Sequence, residues 1–265
     1  MNNQHWQNIK TQAEQWVREA GERIRISLAS PLTVETKSNP NDLVTNMDKA
    51  TEQFFVSRIR DTYHDHKIMG EEGFGDEFKD LNGTVWIIDP IDGTMNFVHQ
   101  QRHFTISVGI YHDGVGQIGL IYDVMANEMY SALRGEGAET EGTPLHIDDK
   151  IGLEKALIGL NANWLTTNKH LHADALHFLV SDARGIRSYG SAALEIAYVT
   201  AGRLNAYATL RLSPWDYAGG LVIAQEAGAV ATTLQGEPLD LLSRQSVLIA
   251  APRVHEEIVQ RLKIT

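Results

Sequence analysis

Val85-Trp86-Ile87-Ile88-Asp89-Pro90-Ile91-Asp92-Gly93-Thr94 joins an apolar run to an acidic turn. Val85 to Ile88 is apolar and of strand length, as expected of a buried strand, and the run is expected to end abruptly at Asp89-Pro90. The two carboxylates, Asp89 and Asp92, stand three positions apart, with a proline and a glycine fixing the turn, so they can converge on one point. Hard cations such as Mg2+ want oxygen donors of this kind and complete their shell with substrate phosphate oxygens. A turn whose aspartates cap the following helix is the alternative reading of the same residues.

Before this run the pattern is helical. Trp6, Ile9, Ala13, Trp16, Val17, Ala20 and Ile24 recur at helical spacing and predict a long amphipathic first helix ended by Ser30-Pro31. Lys37-Ser38-Asn39-Pro40-Asn41-Asp42 reads as an exposed loop, and Thr45 with Asp48 as a capping box opening a helix to about Arg60. After the run, Phe104–Tyr111, Gly116–Tyr122 and Glu128–Leu133 are strand candidates separated by turns, which makes an antiparallel meander and an α+β half. From about Ile147 strands and helices alternate. Ala156–Leu160, Leu204–Thr209 and Val247–Ala250 read as strands. Leu171–Val180, Ala192–Thr200 (with Gly202 as C-cap), Pro214–Ala227 (closed by Gly228) and the segment from Val254 read as helices. The expected division is 1–147 and 148–265, with no linker composition to mark it and no internal repeat.

Composition narrows the function classes. Of 265 residues, 43% are hydrophobic and 22% charged, which suits a folded soluble domain rather than a disordered chain. A net charge of −11 disfavours non-specific binding to nucleic acid or anionic membrane. No stretch is long and apolar enough for a transmembrane helix and the N-terminus has no signal-peptide core, so cytoplasmic residence is expected. The absence of cysteine excludes disulfides, thiolate nucleophiles and Cys-type zinc sites. His64 and His66, His99 and His103, and His170, His172 and His177 have spacings a metal could use, but none combines with a carboxylate in a recognised signature, so solvated or capping roles are expected.

Two further acidic features lie outside the central run. Gly70-Glu71-Glu72-Gly73 places paired carboxylates in a glycine-flanked turn, which by itself could be a solvated acidic loop. Trp215-Asp216 lies at a helix start, where an aspartate could be a simple cap.

Order and spacing carry more than any one of these features. The chain resembles the inositol monophosphatase family, a branch of the lithium-sensitive, metal-dependent phosphatases that includes fructose-1,6-bisphosphatases. The resemblance covers most of the chain. It rests on Lys37-Ser38-Asn39-Pro40 with Asp42-Leu43-Val44-Thr45 and Asp48, Gly70-Glu71-Glu72, Trp86 to Phe97, Gly190-Ser191-Ala192-Ala193, Trp215-Asp216-Tyr217-Ala218-Gly219-Gly220 and Glu226-Ala227-Gly228-Ala229.

It implies a layered αβαβα sandwich with the site between the two halves, a homodimer, and a site for two to three Mg2+ ions. By resemblance, Glu71, Asp89 and the Ile91 carbonyl would hold one ion, and Asp89, Asp92 and Asp216 a second. A third would lie near Glu71. Asp48 and Thr94 would position and deprotonate the attacking water, and Gly93 and Thr94 would offer N–H groups to the phosphate. The turn Gly190-Ser191-Ala192 would contact substrate hydroxyls, although Ser191 could equally be an ordinary N-cap. Lys37 and its loop would act as a lid that orders on metal binding.

Metal-assisted hydrolysis of a phosphate monoester suits this inventory, because it needs no protein nucleophile. The five acids contribute about −5 and two to three Mg2+ about +4 to +6, so a loaded site attracts the phosphate that an empty one repels.

One departure loosens the substrate. Inositol-specific members carry an acidic residue just upstream of the Trp-Asp motif. Here Thr209 stands at that position, with Arg211 two residues on. Inositol monophosphate is the substrate the resemblance implies first. NADP, a nucleotide 3′-phosphate or a fructose bisphosphate is the alternative on the same site, with Arg211 meeting the extra charge or serving only as a surface residue. A regulatory binding protein with an incidental phosphatase site is the alternative of a different class.

Overall fold

The structure, a computed structural model, describes residues 3–30, 32–37, 43–166 and 173–264. The expected loop residues 38–42, and Leu171, His170 and His172, lie outside the described residues. In chain order the first half contains α1 (Asn3–Ser27), β1 (Val34–Thr36), β2 (Leu43–Thr45), α2 (Asn46–Thr62), β3 (Lys67–Gly70), β4 (Thr84–Asp92), α3 (Thr94–Gln100), β5 (Thr105–His112), β6 (Val115–Asp123), β7 (Glu128–Leu133), β8 (Gly137–Thr140) and β9 (Thr143–Leu145). The second half contains β10 (Leu157–Leu160), α4 (His177–Asp182), β11 (Gly185–Arg187), α5 (Ala192–Thr200), β12 (Ala206–Leu212), α6 (Pro214–Ala227), β13 (Val230–Thr232), β14 (Gln245–Ala250) and α7 (Pro252–Ile264).

Strands β3 to β9 form one sheet in sequence order. The expected meander is present, but its first pair, β3 with β4, is parallel, and the short strands β3, β8 and β9 extend it beyond the runs that alternation marks. Strands β11-β10-β12-β14-β13 form a second, mixed sheet.

Five layers follow from which faces are apolar. The stripe Ile9, Trp16, Val17 and Ile24 of α1, with Phe55 and Ile59 of α2, covers Trp86, Ile88, Val108 and Leu120 on one face of the large sheet. The opposite face, with Val85, Ile87 and Ile121, packs on α5 and α6, whose far side meets Tyr207, Val247 and Ile249 of the second sheet. The outer face of that sheet, with Ile158, Ala208 and Leu248, is closed by Leu179 of α4 and by Val254 and Ile258 of α7. This is the expected αβαβα sandwich.

Helix α6 shows what the middle layer requires. Tyr217 to Ala224 are buried without a break, because sheets cover both sides of the helix, whereas α1 buries only a stripe. The helix also sits unusually close to the large sheet. A Cβ on Gly119 of β6 would collide with the Gly219 carbonyl, and a Cβ on Gly219 would lie 2.9 Å from the carbonyl oxygens of Val108 and Leu120. Only glycines permit that approach, and it brings the first turn of α6 to the end of β4.

The expected abrupt end of the central strand is corrected. Strand β4 continues through Pro90 to Asp92, with Asp89 opposite Ser107 and Asp92 opposite Thr105. Three steps on β4 thus face two on β5, which is a bulge. Pro90 has no N–H for the ladder, and the extra residue accommodates it. In a regular strand, side chains three apart point to opposite faces, and one inserted residue turns them to the same side.

The helix starts agree with their signals. Thr45 and Asp48 form the capping box of α2, and Gly228, at φ 94°, closes α6. Helix α5 differs slightly, with Ala201 as its C-cap and Gly202 (φ 68°) one residue beyond.

Candidate active site

Asp89, Asp92 and Asp216 each offer a carboxylate oxygen within 4.8 Å of the others. The bulge of β4 supplies two of them and the first turn of α6 the third, so the two halves of the chain meet here. Each carboxylate is aimed by the backbone. Asp92 Oδ2 accepts from Ser191 Oγ at 2.5 Å and from the Ala193 N–H at 2.7 Å, at the start of α5. Asp216 Oδ2 accepts from the Ser213 N–H at 2.7 Å, and Asp89 Oδ1 from the Ile91 N–H at 3.1 Å. In each aspartate one oxygen is held by the protein and the other is left to the cluster.

Burial and mutual repulsion make this cluster want a cation. Asp89 is 1% exposed, and its carboxyl is pushed well above the usual range, first by burial and then by Glu71, Asp92 and Asp216. Asp216 is raised well above it for the same reasons, burial first, then Asp92 and Glu71. Asp92 is raised to about 6 by burial, a shift moderated by its bonds to Ser191 and Ala193. Without a positive partner, three such groups cannot all ionise together. An all-oxygen donor set of this charge fits a hard divalent cation. Among the described residues no other group of three acids or histidines is so placed.

Asp48 and Thr94 stand beside the cluster. The Thr94 hydroxyl lies 3.1 Å from Asp48 Oδ1 and 3.1 Å from the Ile91 carbonyl oxygen. Asp48 Oδ2 accepts from the Thr45 N–H at 2.8 Å, so the capping box of α2 fixes the carboxylate, while burial raises its pKa. Gly93 precedes α3 with φ 94°, a left-handed conformation that glycine adopts without strain.

Glu71 belongs to a different kind of surround. It follows β3 in a loop and reaches Asp89 side chain to side chain. Its other partner is Lys37, whose Nζ lies 2.9 Å from Glu71 Oε1 and 2.5 Å from Glu72 Oε1. The loop is shaped from below by Glu52 of α2, fully buried, whose carboxylate accepts from the N–H groups of Glu72 (2.6 Å) and Phe74 (2.8 Å). Glu195 of α5 plays the matching part in the second half, accepting from the Tyr189 and Gly190 N–H groups at 2.7 and 3.2 Å. It thereby shapes the turn that presents Ser191 to Asp92, and burial raises its carboxyl to about 7.

Other candidates from the sequence are placed as follows. Gly190, Ser191 and Ala192 lie at the start of α5, where Ser191 is both N-cap, accepting from the Leu194 N–H at 3.2 Å, and donor to Asp92. Thr209 is buried and accepts from Trp164 Nε1 at 3.0 Å, so its hydroxyl already has a partner. Arg211 is exposed near the end of β12. His66 takes the Trp86 indole N–H at 3.0 Å and stacks on Tyr63, a packing role in place of the expected solvated or capping one.

Sequence reasoning did not single out Glu52, Glu195 or Arg244. The last donates from Nε to Ser213 Oγ at 2.8 Å, behind Asp216. A lone acid in an apolar helical run, such as Glu195 in Ala192–Thr200, was the available signal.

A family model described as the inositol monophosphatase family matches residues 5–264. The chain belongs to that family. It is 53% identical over 256 residues to the inositol-1-monophosphatase of Bacillus subtilis (strain 168), covering 97% of each protein. Among solved structures, inositol monophosphate-bound SaIMPase-II from Staphylococcus aureus is 44% identical with TM-score 0.86, covering 95% of this chain and 92% of that one. An IMPase/NADP phosphatase complexed with Mg2+ and phosphate is 28% identical with TM-score 0.90, covering 98% and 97%. Family membership makes the chain a phosphoric monoester hydrolase of the layered sugar-phosphatase fold. No helix among the described residues is long and apolar enough to cross a membrane.

Proposed function

We propose that the chain hydrolyses monophosphates of small alcohols, inositol monophosphate first, at a Mg2+ site formed by Glu71, Asp89, the Ile91 carbonyl, Asp92 and Asp216. The observation that carries this reading is the convergence of three carboxylate oxygens within 4.8 Å. Two to three bound Mg2+ ions would neutralise phosphoryl oxygens and acidify an attached water.

The chain's own residues do the rest. Thr94 orients the attacking water and hands its proton to Asp48, whose buried carboxylate is the more basic for its burial. The water oxygen forms a bond to phosphorus as the bond to the alcohol oxygen breaks, and the alcohol leaves with a proton from solvent. The N–H groups of Gly93 and Thr94 meet the phosphate, and the turn Gly190-Ser191-Ala192 meets the substrate hydroxyls. Asp92 and Asp216 border the leaving group, and Arg211 meets additional negative charge. In this reading 1–147 supplies most of the acids and 148–265 supplies Asp216 and the substrate contacts. A homodimer resident in the cytoplasm completes the proposal.

The complete set of acids favours a working enzyme over a regulatory binder with an incidental site. Phosphate release from inositol monophosphate should require Mg2+, stop in excess EDTA and be inhibited by Li+. Release that persists in EDTA would overturn the reading. A second reading, hydrolysis of a larger phosphate ester such as NADP, is favoured by Thr209, a neutral hydroxyl that already accepts from Trp164, at the position where an acid would read inositol hydroxyls.

A further inference from the structure

Two arginines at one end of the five-stranded sheet have donors that no described residue uses. Arg211 makes no hydrogen bond or ion pair with a described residue, and Arg244 uses only Nε, on Ser213. Both line one cavity of about 260 Å³ together with Gln235, Gln245 and Ser246 over two leucines. Among the described residues no carboxylate lines it, in a chain of net charge −11.

Several of its polar groups are already committed. The Gln245 amide nitrogen donates to the Tyr217 hydroxyl and the Asp240 carbonyl, and Ser246 Oγ serves Leu234 N–H and Gln235 Oε1. The lining side-chain groups left without a described partner are donors, those of the two guanidinium groups and Gln235 Nε2. Paired guanidinium forks without a competing acid match the oxygens of a phosphate.

The cavity is joined to the catalytic cluster through Arg244. Its Nε is bonded to Ser213 Oγ, and the Ser213 N–H is bonded to Asp216 Oδ2, so the guanidinium stands two hydrogen bonds from a metal-ligand carboxylate. Arg244 also lines a larger cavity of about 460 Å³ whose walls include Gly70 and Trp215, the neighbours of Glu71 and Asp216. Arg244 therefore borders both cavities, the larger of which Asp76 and Glu77 also line.

We propose that the pocket of Arg211, Arg244 and Gln235 is an anion subsite for a second phosphate group. The group is either the distal phosphate of a substrate whose other phosphate lies at the aspartates, or a free phosphate ion bound beside the substrate. The inference rests on the phosphatase reading and deepens it, since it selects leaving alcohols that carry their own phosphate.

The test compares adenosine 3′-phosphate with adenosine 3′,5′-bisphosphate, which differ only in the second group, on the Mg2+-loaded full chain. In Arg211→Gln, the ratio of kcat/KM for the bisphosphate over the monophosphate should fall about ten-fold, the size of one charge-assisted hydrogen bond. Arg211 is exposed and makes no hydrogen bond or ion pair with a described residue, so the variant is expected to fold. If the occupant is instead free phosphate, inorganic phosphate will act on the wild type beyond the competitive product inhibition that both proteins share, and only the competitive part will remain in Arg211→Gln. If the ratio and the phosphate response are both the same in variant and wild type, the subsite is refuted. Calorimetric titration of both proteins with the bisphosphate, with Ca2+ in place of Mg2+, reads the subsite apart from turnover. Loss of turnover with an Arg211-dependent isotherm would count against the phosphatase reading alone, and equal isotherms against the subsite alone.

Discussion

The two acidic regions that meet at the site are built on opposite plans. Asp89, Asp92 and Asp216 are held between layers, each with one oxygen fixed by a backbone N–H, two of them at the starts of helices. Glu71 sits on a loop, paired with Lys37 and shaped at a distance by Glu52. The first region is preorganised and repels itself. The second has its own positive partner and can adjust. In the proposed reading the aspartates are thus the permanent cation centre, and the Glu71 loop tunes it.

The largest expected effect breaks the first region. Asp92→Asn keeps an acceptor for Ser191 and Ala193 but removes the charge. Phosphate release should fall by at least about 10³-fold, the scale of losing an electrostatic group at a reacting centre, with the fold intact by circular dichroism. An activity within ten-fold of wild type would show that Asp92 is only a cap.

Next in size is the packing that delivers Asp216. Gly119→Ala drives a Cβ into the Gly219 carbonyl, so α6 must shift. A loss of about 1–3 kcal/mol in urea unfolding is expected, with weaker Mg2+ binding. Unchanged stability would mean that the helix is not seated on this strand.

The second region should respond more mildly. Glu52→Gln leaves a single acceptor oxygen for two N–H groups, and should cost about 1–3 kcal/mol while raising the Mg2+ concentration needed for half-maximal activity. If high Mg2+ recovers none of the activity, the loop does more than tune. Lys37→Gln should shift that Mg2+ requirement only a few-fold, because its ion pairs are partly solvated.

How much of this was legible in the sequence follows from how far each partner lies along the chain. Asp89 to Thr94, the Thr45–Asp48 box and Pro214 to Asp216 announce themselves because their geometry is local. The bulge that makes Asp89 and Asp92 converge was not, since it depends on β5, and the run read as a strand stopped at Pro90. Glu52 acts on a loop 20 residues away and Arg244 on a serine 31 residues back, distances at which spacing carries no signal. Helix α6 read correctly from its Pro and Gly ends, although its even burial hides any amphipathic pattern. The fold class was legible because the longer strands keep apolar runs of strand length, Val85 to Ile88 above all, while β3, β8 and β9 are too short to show one.

The smallest effect is on stability against pH in metal-free protein. A carboxyl whose folded pKa lies above its unfolded value holds its proton more tightly when folded, so its contribution is present at low pH and lost as pH rises through the folded value. With Asp92 at about 6 and Glu195 at about 7, the melting temperature in EDTA should decline between about pH 4 and pH 7. Saturating Mg2+ should remove the part due to the aspartates and leave that of Glu195. A flat profile in EDTA would mean that burial does not raise these carboxyls.

Anomalous diffraction from crystals soaked in Mn2+ tests the permanent cation centre most directly. An ion should appear between the two halves, within about 2.2 Å of a carboxylate oxygen of each of Asp89, Asp92 and Asp216. Mn2+ found only at surface acids, with no density among these three, would contradict the account.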